Sequence, residues 1–285
     1  MKTSWELLLY EKAMLTFFFA TTIVLLSTSG PTYLFFEALA VSLSLLFCSL
    51  VFSKNEFARS SKWGPRIRLA FGYGFSLWYY ISISRICIAL HLSLKDDLLL
   101  SVDRFLLGGT PGEWALPNPL LADLMSIGYL SFHFYIHGVL LQAIFGKEPL
   151  RKNFCNLLYL GYLLGFIGYL VIPGVGPRFA FPELFTVDLP LNRGFSALND
   201  ALISLGSSGY DVFPSLHIMM TLLVLDYDFR FHRKRFYWML PISFILAVST
   251  MYLRYHYLVD VLAAVVFFWA WRKVFWRFFA EPDPA

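Results

Sequence analysis

Apolar residues run almost unbroken along this chain, and polar ones interrupt them at intervals that leave eight long segments: approximately 12–28, 32–53, 67–93, 119–145, 154–173, 213–229, 236–254 and 257–276. A helix needs about 17–25 apolar residues to cross a bilayer. The pattern therefore predicts an all-α, polytopic membrane bundle of about eight transmembrane helices. Two longer connections, about 94–118 and 174–212, separate the segments, and long loops of this kind commonly carry function. In "DDLLLSVDRFLL", residues 96–107, the apolar Leu98, Leu99, Val102, Phe105 and Leu106 recur at helical spacing, with Asp97, Ser101 and Arg104 on another face. That predicts a helix lying in the membrane interface. The second connection holds two turn-rich stretches, "IPGVGPRFAFP" (172–182) and "LGSSGYDVFPSLH" (205–217).

Composition agrees with the pattern. Hydrophobic residues make up 58% of the 285 and charged residues 15%, against roughly 45–50% and about 25% in a soluble domain. The few charges give an orientation, because cytoplasmic loops retain lysine and arginine. With the N-terminus inside, most of the 23 basic residues fall in inner segments: the N-terminal tail, 54–68, 147–152, 230–235 and the C-terminal tail. The outer connections hold Lys95, Arg104, Arg178, Arg193 and Arg254. Both termini are thus expected in the cytoplasm, with the long connections facing the periplasm, a lumen or the exterior. The net charge of +4 is mostly this inner bias toward anionic lipid and implies no nucleic acid. Residues 14–30 are read as a retained helix rather than a cleaved signal, since Glu6 and Glu11 precede them. Cys48, Cys87 and Cys155 show no paired spacing and read as packing residues.

Candidate chemistry collects on the outer side. His256 and Asp260, four apart, share a face of the helix that begins near 256, so the carboxylate accepts a proton from one imidazole nitrogen. The other nitrogen is left as a nucleophile or base. Pro214 suits the first turn of the next helix, which places Ser215 and His217 at its N-terminus, where free N–H groups attract phosphate. Arg178 and Arg254 bring two of the few outer positive charges to the same loops, and arginine matches phosphate oxygens with forked donors. Arg85 is read as lying about 12 Å below the outer end of its span, at 1.5 Å per residue, where a charge is functional by default unless it pairs or snorkels. His133 and His137 have metal-like spacing but are read as lying about 20 Å below the outer face by the same rise. That depth is too great to meet His217 and His256, and interhelical hydrogen bonding accounts for them better.

"FPSLH" and "STMYLRYHYLVD" resemble the second and third motifs, PSGH and SRxxxxxHxxxD, of the type 2 phosphatidic acid phosphatase superfamily. The resemblance covers roughly residues 67–276 and implies a six-helix catalytic core in 67–285, with residues 1–66 adding two transmembrane helices. It also implies that His256 takes the phosphoryl group, Asp260 orients it, His217 protonates the leaving oxygen and Ser215 helps hold the phosphate, with no metal and no cofactor. The chain departs from the family pattern in three places. The first motif, KxxxxxxRP, is not present, since Val171 stands seven residues before Arg178 and Phe179 follows it; Leu216 replaces the glycine of the second motif; and Thr250 replaces the arginine of the third. These departures resemble the branch of inositol phosphorylceramide synthases, where RYHY precedes an apolar pair and aspartate. That branch moves a phosphoalcohol from a phospholipid donor to a lipid or polyol alcohol, or releases it to water. Because Thr250 and Arg254 are four apart, they are expected on one helical face, with Arg254 supplying the phosphate contact. Two other readings stay open: a metalloenzyme whose site is His217, His256 and Asp260, and a transporter or scaffold whose polar residues join helices.

Overall fold

The computed structural model describes residues 7–55, 61–146 and 150–279. Within them lie eleven α-helices: α1 (Leu9–Ser29), α2 (Tyr33–Lys54), α3 (Gly64–Ala89), α4 (Asp96–Leu107), α5 (Pro119–Phe145), α6 (Leu150–Val171), α7 (Pro177–Ala180), α8 (Gly194–Gly206), α9 (Leu216–Phe231), α10 (Arg233–Tyr252) and α11 (Leu258–Phe278). Each of the eight apolar segments corresponds to one long helix. Four of these are long and apolar enough to cross a membrane: α1, α2, α5 and residues 151–171 of α6. The others fall short of that measure because α9 has only 16 residues, while α3, α10 and α11 have the length but are too polar. Lys2, Arg59 and Lys147, which belong to the inner segments of the orientation argument, and Glu6, used against a cleaved signal, lie outside the described residues, as do most of the N-terminal tail and residues 280–285.

Local chemistry sets the helix ends. Pro119 opens α5, and the side-chain oxygen of Asn118 accepts from the N–H groups of Leu120 and Leu121 at 3.0 and 3.1 Å, satisfying two of the donors left free at a helix start. Gly108 ends α4 with φ 83°, a left-handed conformation that costs glycine nothing. Carboxylates buried at the other end of the bundle are all paired: Glu11 with Arg68, Asp226 with Arg272 at 2.7 Å, and Asp228 with Arg235. Leaving one such charge without its partner would be strongly destabilising.

Close approach of two helices positions the site. Gly161, Gly165 and Gly168 of α6 face Leu223, Leu216 and Pro214, so near that a Cβ on each glycine would stand only 2.6, 2.3 and 2.3 Å from them. Small residues of this kind let helices pack backbone to backbone where lipid offers no hydrophobic drive. The start of α9 is thereby held against the C-terminal half of α6.

The helix expected over residues 96–107 is present as α4, and the face it buries cuts across the apolar stripe. Asp96, Leu99, Leu100 and Asp103 point inward, while Leu98, Phe105 and Leu106 are exposed. Apolar spacing alone gave the outward stripe; the inward face is decided by two carboxylates that find buried donors. The second connection also holds α8, a 13-residue helix that the turn-rich reading of its flanks did not show.

Candidate active site

Three segments meet where α9 and α11 begin and α10 ends. Ser215 is the N-cap residue of α9 and Pro214 precedes it, so the helix starts two residues later than the proline suggested; His217 is its second residue. The α10 helix stops at Tyr252, and residues 253–257 cross to α11 with the N–H groups of Tyr255 and His256 both returning to the Thr250 carbonyl, at 3.0 and 3.1 Å. Asp260 lies in the first turn of α11, where one oxygen accepts the Tyr257 N–H at 2.8 Å. This caps the helix and fixes the carboxylate behind the histidine.

The two imidazoles face each other. His256 Nδ1 lies 3.3 Å from Asp260 Oδ2, and its Nε2 lies 3.5 Å from His217 Nδ1. With Nδ1–H directed at the carboxylate, Nε2 presents its lone pair toward His217. Burial pushes the His256 imidazole down to about 4, so at neutral pH it is uncharged and keeps that lone pair. Ser215 and Asp260 are fully buried, and Ser215 Oγ and Asp260 Oδ1 have no hydrogen-bond partner.

Two carboxylates that the sequence argument did not single out hold this constellation in place. Asp103 of α4 accepts from the N–H groups of Leu258 and Val259, at 2.9 and 3.0 Å, and from the Thr110 hydroxyl at 2.9 Å. It thus supplies a negative charge and two acceptors to the start of α11. Asp96 accepts from Val175 and Gly176 N–H and from the Tyr257 hydroxyl, the last at 3.0 Å. Gly176 (φ 90°) then passes so close to the Tyr255 carbonyl that a Cβ would stand 2.4 Å from it. The signal was present in the spacing: Asp96 and Asp103 are seven apart with Leu99 and Leu100 between them, one helical face.

A cavity of about 520 Å³ opens on the histidines. His217, His256, Tyr255 and Tyr129 line its outer end, and His133, His137 and Tyr73 its inner end. His133 is therefore not too deep to reach the site: its ring centroid is 6.5 Å from that of His217, and Tyr129 and Phe132 are each 4.6 Å from it. The depth argument failed because α5 projects past the start of α9. Its first turns dock the outer helix α8, with Asp123 accepting the Ser196 N–H at 2.8 Å, so the histidines sit well below its outer end. His137 instead bonds the Tyr73 hydroxyl.

The three candidate arginines are placed differently. None of them lines the cavity, and among the described residues no lysine or arginine does. Arg85 lies one turn from the C-terminal end of α3, not eight residues inside a span, and pairs with Glu37 of α2 at 2.8 and 3.0 Å and with Ser82. Arg178 pairs with Asp200 at 2.6 Å and donates to the Tyr255 hydroxyl at 3.3 Å, one residue behind the cavity wall. Arg254 follows the end of α10 with φ 64°, so it does not share a helical face with Thr250. Its guanidinium donates to the carbonyls of Gly112 and Val187, at 3.2 and 2.7 Å, over the Phe185 ring. This clasps both long connections to the site.

Arg254→Ala is accordingly expected to lower stability by about 1.5–3 kcal/mol, the worth of hydrogen bonds to a charged group. Thermal unfolding in detergent measures the loss. Arg254→Lys should recover only part of it, since one ammonium on a flexible stem does not reproduce the fork. An unchanged Tm in Arg254→Ala would refute the clasp.

Among the described residues no group of three or more His, Cys, Asp or Glu side chains is placed to hold a metal ion. Cys87 and Cys155 are buried and Cys48 half-buried, and none of the three is in a disulfide. The chain matches no curated protein and no solved structure. The PAP2 superfamily model, in contrast, matches residues 98–272, more than half of the sequence and the whole span from α4 into α11 that builds the histidine pair. The chain belongs to the PAP2 superfamily, whose enzymes are generally phosphatases or phosphotransferases acting on phosphate esters.

Proposed function

We propose that this chain is an integral-membrane lipid phosphotransferase or phosphatase that works at the outer or lumenal face through a phosphohistidine on His256, without a metal. The observation that carries the reading is the line Asp260, His256, His217, with one carboxylate behind the first imidazole and the second imidazole in front of it. His256 Nε2 attacks phosphorus, the bond to the leaving alcohol oxygen breaks, and His217 gives that oxygen its proton. A lipid or polyol hydroxyl, or water, then loses its proton to His217 and attacks phosphorus, breaking the P–N bond and restoring His256. The free N–H groups at the start of α9 and Ser215 attract the phosphate. A metal shared by His217, His256 and Asp260 fits less well, because Asp260 is spent on His256 and on Tyr257 rather than converging with the others. Eight spans, with both termini cytoplasmic, place the outer connections and the site on one side of the membrane. The resemblance of RYHY and the aspartate after it favours a donor such as an inositol-bearing phospholipid and a sphingolipid-type acceptor.

Mass spectrometry after incubation with mixed anionic phospholipids, with and without candidate alcohols, tests this directly. Transfer or release of a phosphorylated head group is expected to survive chelators. Loss of activity with a chelator and its return with added metal would sink the phosphohistidine. Removing His217 is expected to cost about 10²–10⁴-fold on a lipid substrate, as for other general acids. The loss should shrink on a nitrophenyl ester, whose leaving group needs no proton. Equal losses on both would leave His217 only a phosphate ligand.

A further inference from the structure

The connection between α8 and α9 gives the same cavity a second polar wall that the histidine chemistry does not use. Asp211 Oδ2 accepts the Tyr80 hydroxyl at 2.5 Å and its Oδ1 lies 3.5 Å from Ser207 Oγ. Asn199, fully buried at 0% exposure, donates to the Tyr255 hydroxyl at 3.1 Å, which leaves its Oδ1 buried without a partner. Ser208 Oγ is buried and unpartnered as well. All of these residues line the cavity. A buried acceptor left without a donor is costly, so this wall is complementary to a ligand that brings N–H or O–H groups. It is the wrong wall for phosphate oxygens.

Charge points the same way. No lysine or arginine among the described residues lines the cavity, whereas the Asp211 side chain lines it together with His217 and His256. A phosphodiester carries one negative charge, whereas a phosphomonoester carries about 1.5 to 2 at neutral pH, and the extra charge is repelled by a carboxylate in a poorly screened site. We propose that Asp211, Asn199 and Ser208 form a subsite for the alcohol portion of a phosphodiester lipid, binding the hydrogen-bond donors of its head group, and that Asp211 selects against phosphomonoesters. This rests on the phosphoryl-transfer reading above. The donors come from a polyhydroxyl head group or from a primary ammonium; a quaternary ammonium has none.

The test compares kcat/KM of the full chain in mixed micelles for acyl-matched phosphatidylglycerol, phosphatidylethanolamine, phosphatidylcholine and phosphatidic acid. The glycerol or the ethanolamine lipid is expected to exceed the last two by about tenfold or more, the scale of one hydrogen bond to a charged group. Whichever of the pair leads identifies the donor as hydroxyl or ammonium. Asp211→Asn should bring the ratio to phosphatidic acid close to one, mainly through KM. Ser208→Ala, a milder change should Asp211→Asn not fold, should raise KM for the preferred lipid and leave phosphatidic acid unaffected. Wild type using phosphatidylcholine or phosphatidic acid as well as the others, or variants that scale all four lipids alike, would overturn the subsite. Activity on phosphatidylinositol alone would assign the donors to a larger polyhydroxyl ring, whereas wild type acting on neither that lipid nor any of the four would remove the phosphoryl-transfer reading and the subsite with it.

Discussion

Replacing His256 by alanine is expected to abolish turnover while leaving the protein folded. The imidazole is 3% exposed and is held from two sides, by Asp260 at Nδ1 and by His217 at Nε2. Its backbone keeps the turn without it, since the His256 N–H bond to the Thr250 carbonyl does not involve the side chain. Loss of the group that forms the covalent intermediate costs on the order of 10⁴–10⁶-fold in enzymes that work this way. Rapid quenching during turnover of a labelled lipid should trap a phosphoryl group on wild type and none on His256→Ala. Asp260→Asn should be severe but smaller in effect, because an amide still fills the space yet no longer fixes the Nδ1 proton. His256→Ala that still carries the label would move the covalent step to another residue.

Asp103→Ala is expected to be the most damaging change outside the reacting groups. Asp103 is completely buried, and three donors converge on it from segments as much as 156 residues away. Truncation orphans two N–H groups at the start of α11 and the Thr110 hydroxyl, each costing about 1–3 kcal/mol. It also removes the negative charge that suits a helix N-terminus. A loss of about 3–9 kcal/mol follows by that reckoning, seen as a lower Tm. Turnover should fall as well, because the turn that loosens carries Tyr257 and Asp260. Asp103→Asn should sit between, its single amide oxygen serving one N–H but not both. If Asp103→Ala unfolds at the wild-type temperature with wild-type kcat, α4 is a passenger at the interface and not a support of the site.

The long helices were legible in the sequence because lipid enforces a continuous apolar run: residues 119–145 form one helix to the residue, and the other segments agree to within a few. The histidine pair was legible because its motif spacing is local. What failed depended on three-dimensional context. Arg254 was assigned to a helical face, but the helix had ended two residues earlier, and the left-handed turn that redirects its side chain leaves no mark in spacing. Arg85 was read as lying deep because its span was drawn four residues too long. His133 was excluded by measuring depth along α5 alone, when what decides is where the neighbouring helix begins. Asp211 and Asn199 sat in a connection read only for its turns.

The glycines of α6 have a further meaning for the site. His217 and His256 belong to segments 39 residues apart, tied to each other where the Ser215 N–H donates to the Asp260 carbonyl at 3.2 Å. How far in α9 is seated also depends on a third helix: it lies as close as a hydrogen atom at Gly165 and Gly168 permits, and a methyl group there would meet Leu216 and Pro214 at 2.3 Å. The side chains next to His217 in sequence are the ones that bear on α6. The clearance available to a phosphorus atom is thus written as absent side chains on a helix behind the catalytic pair.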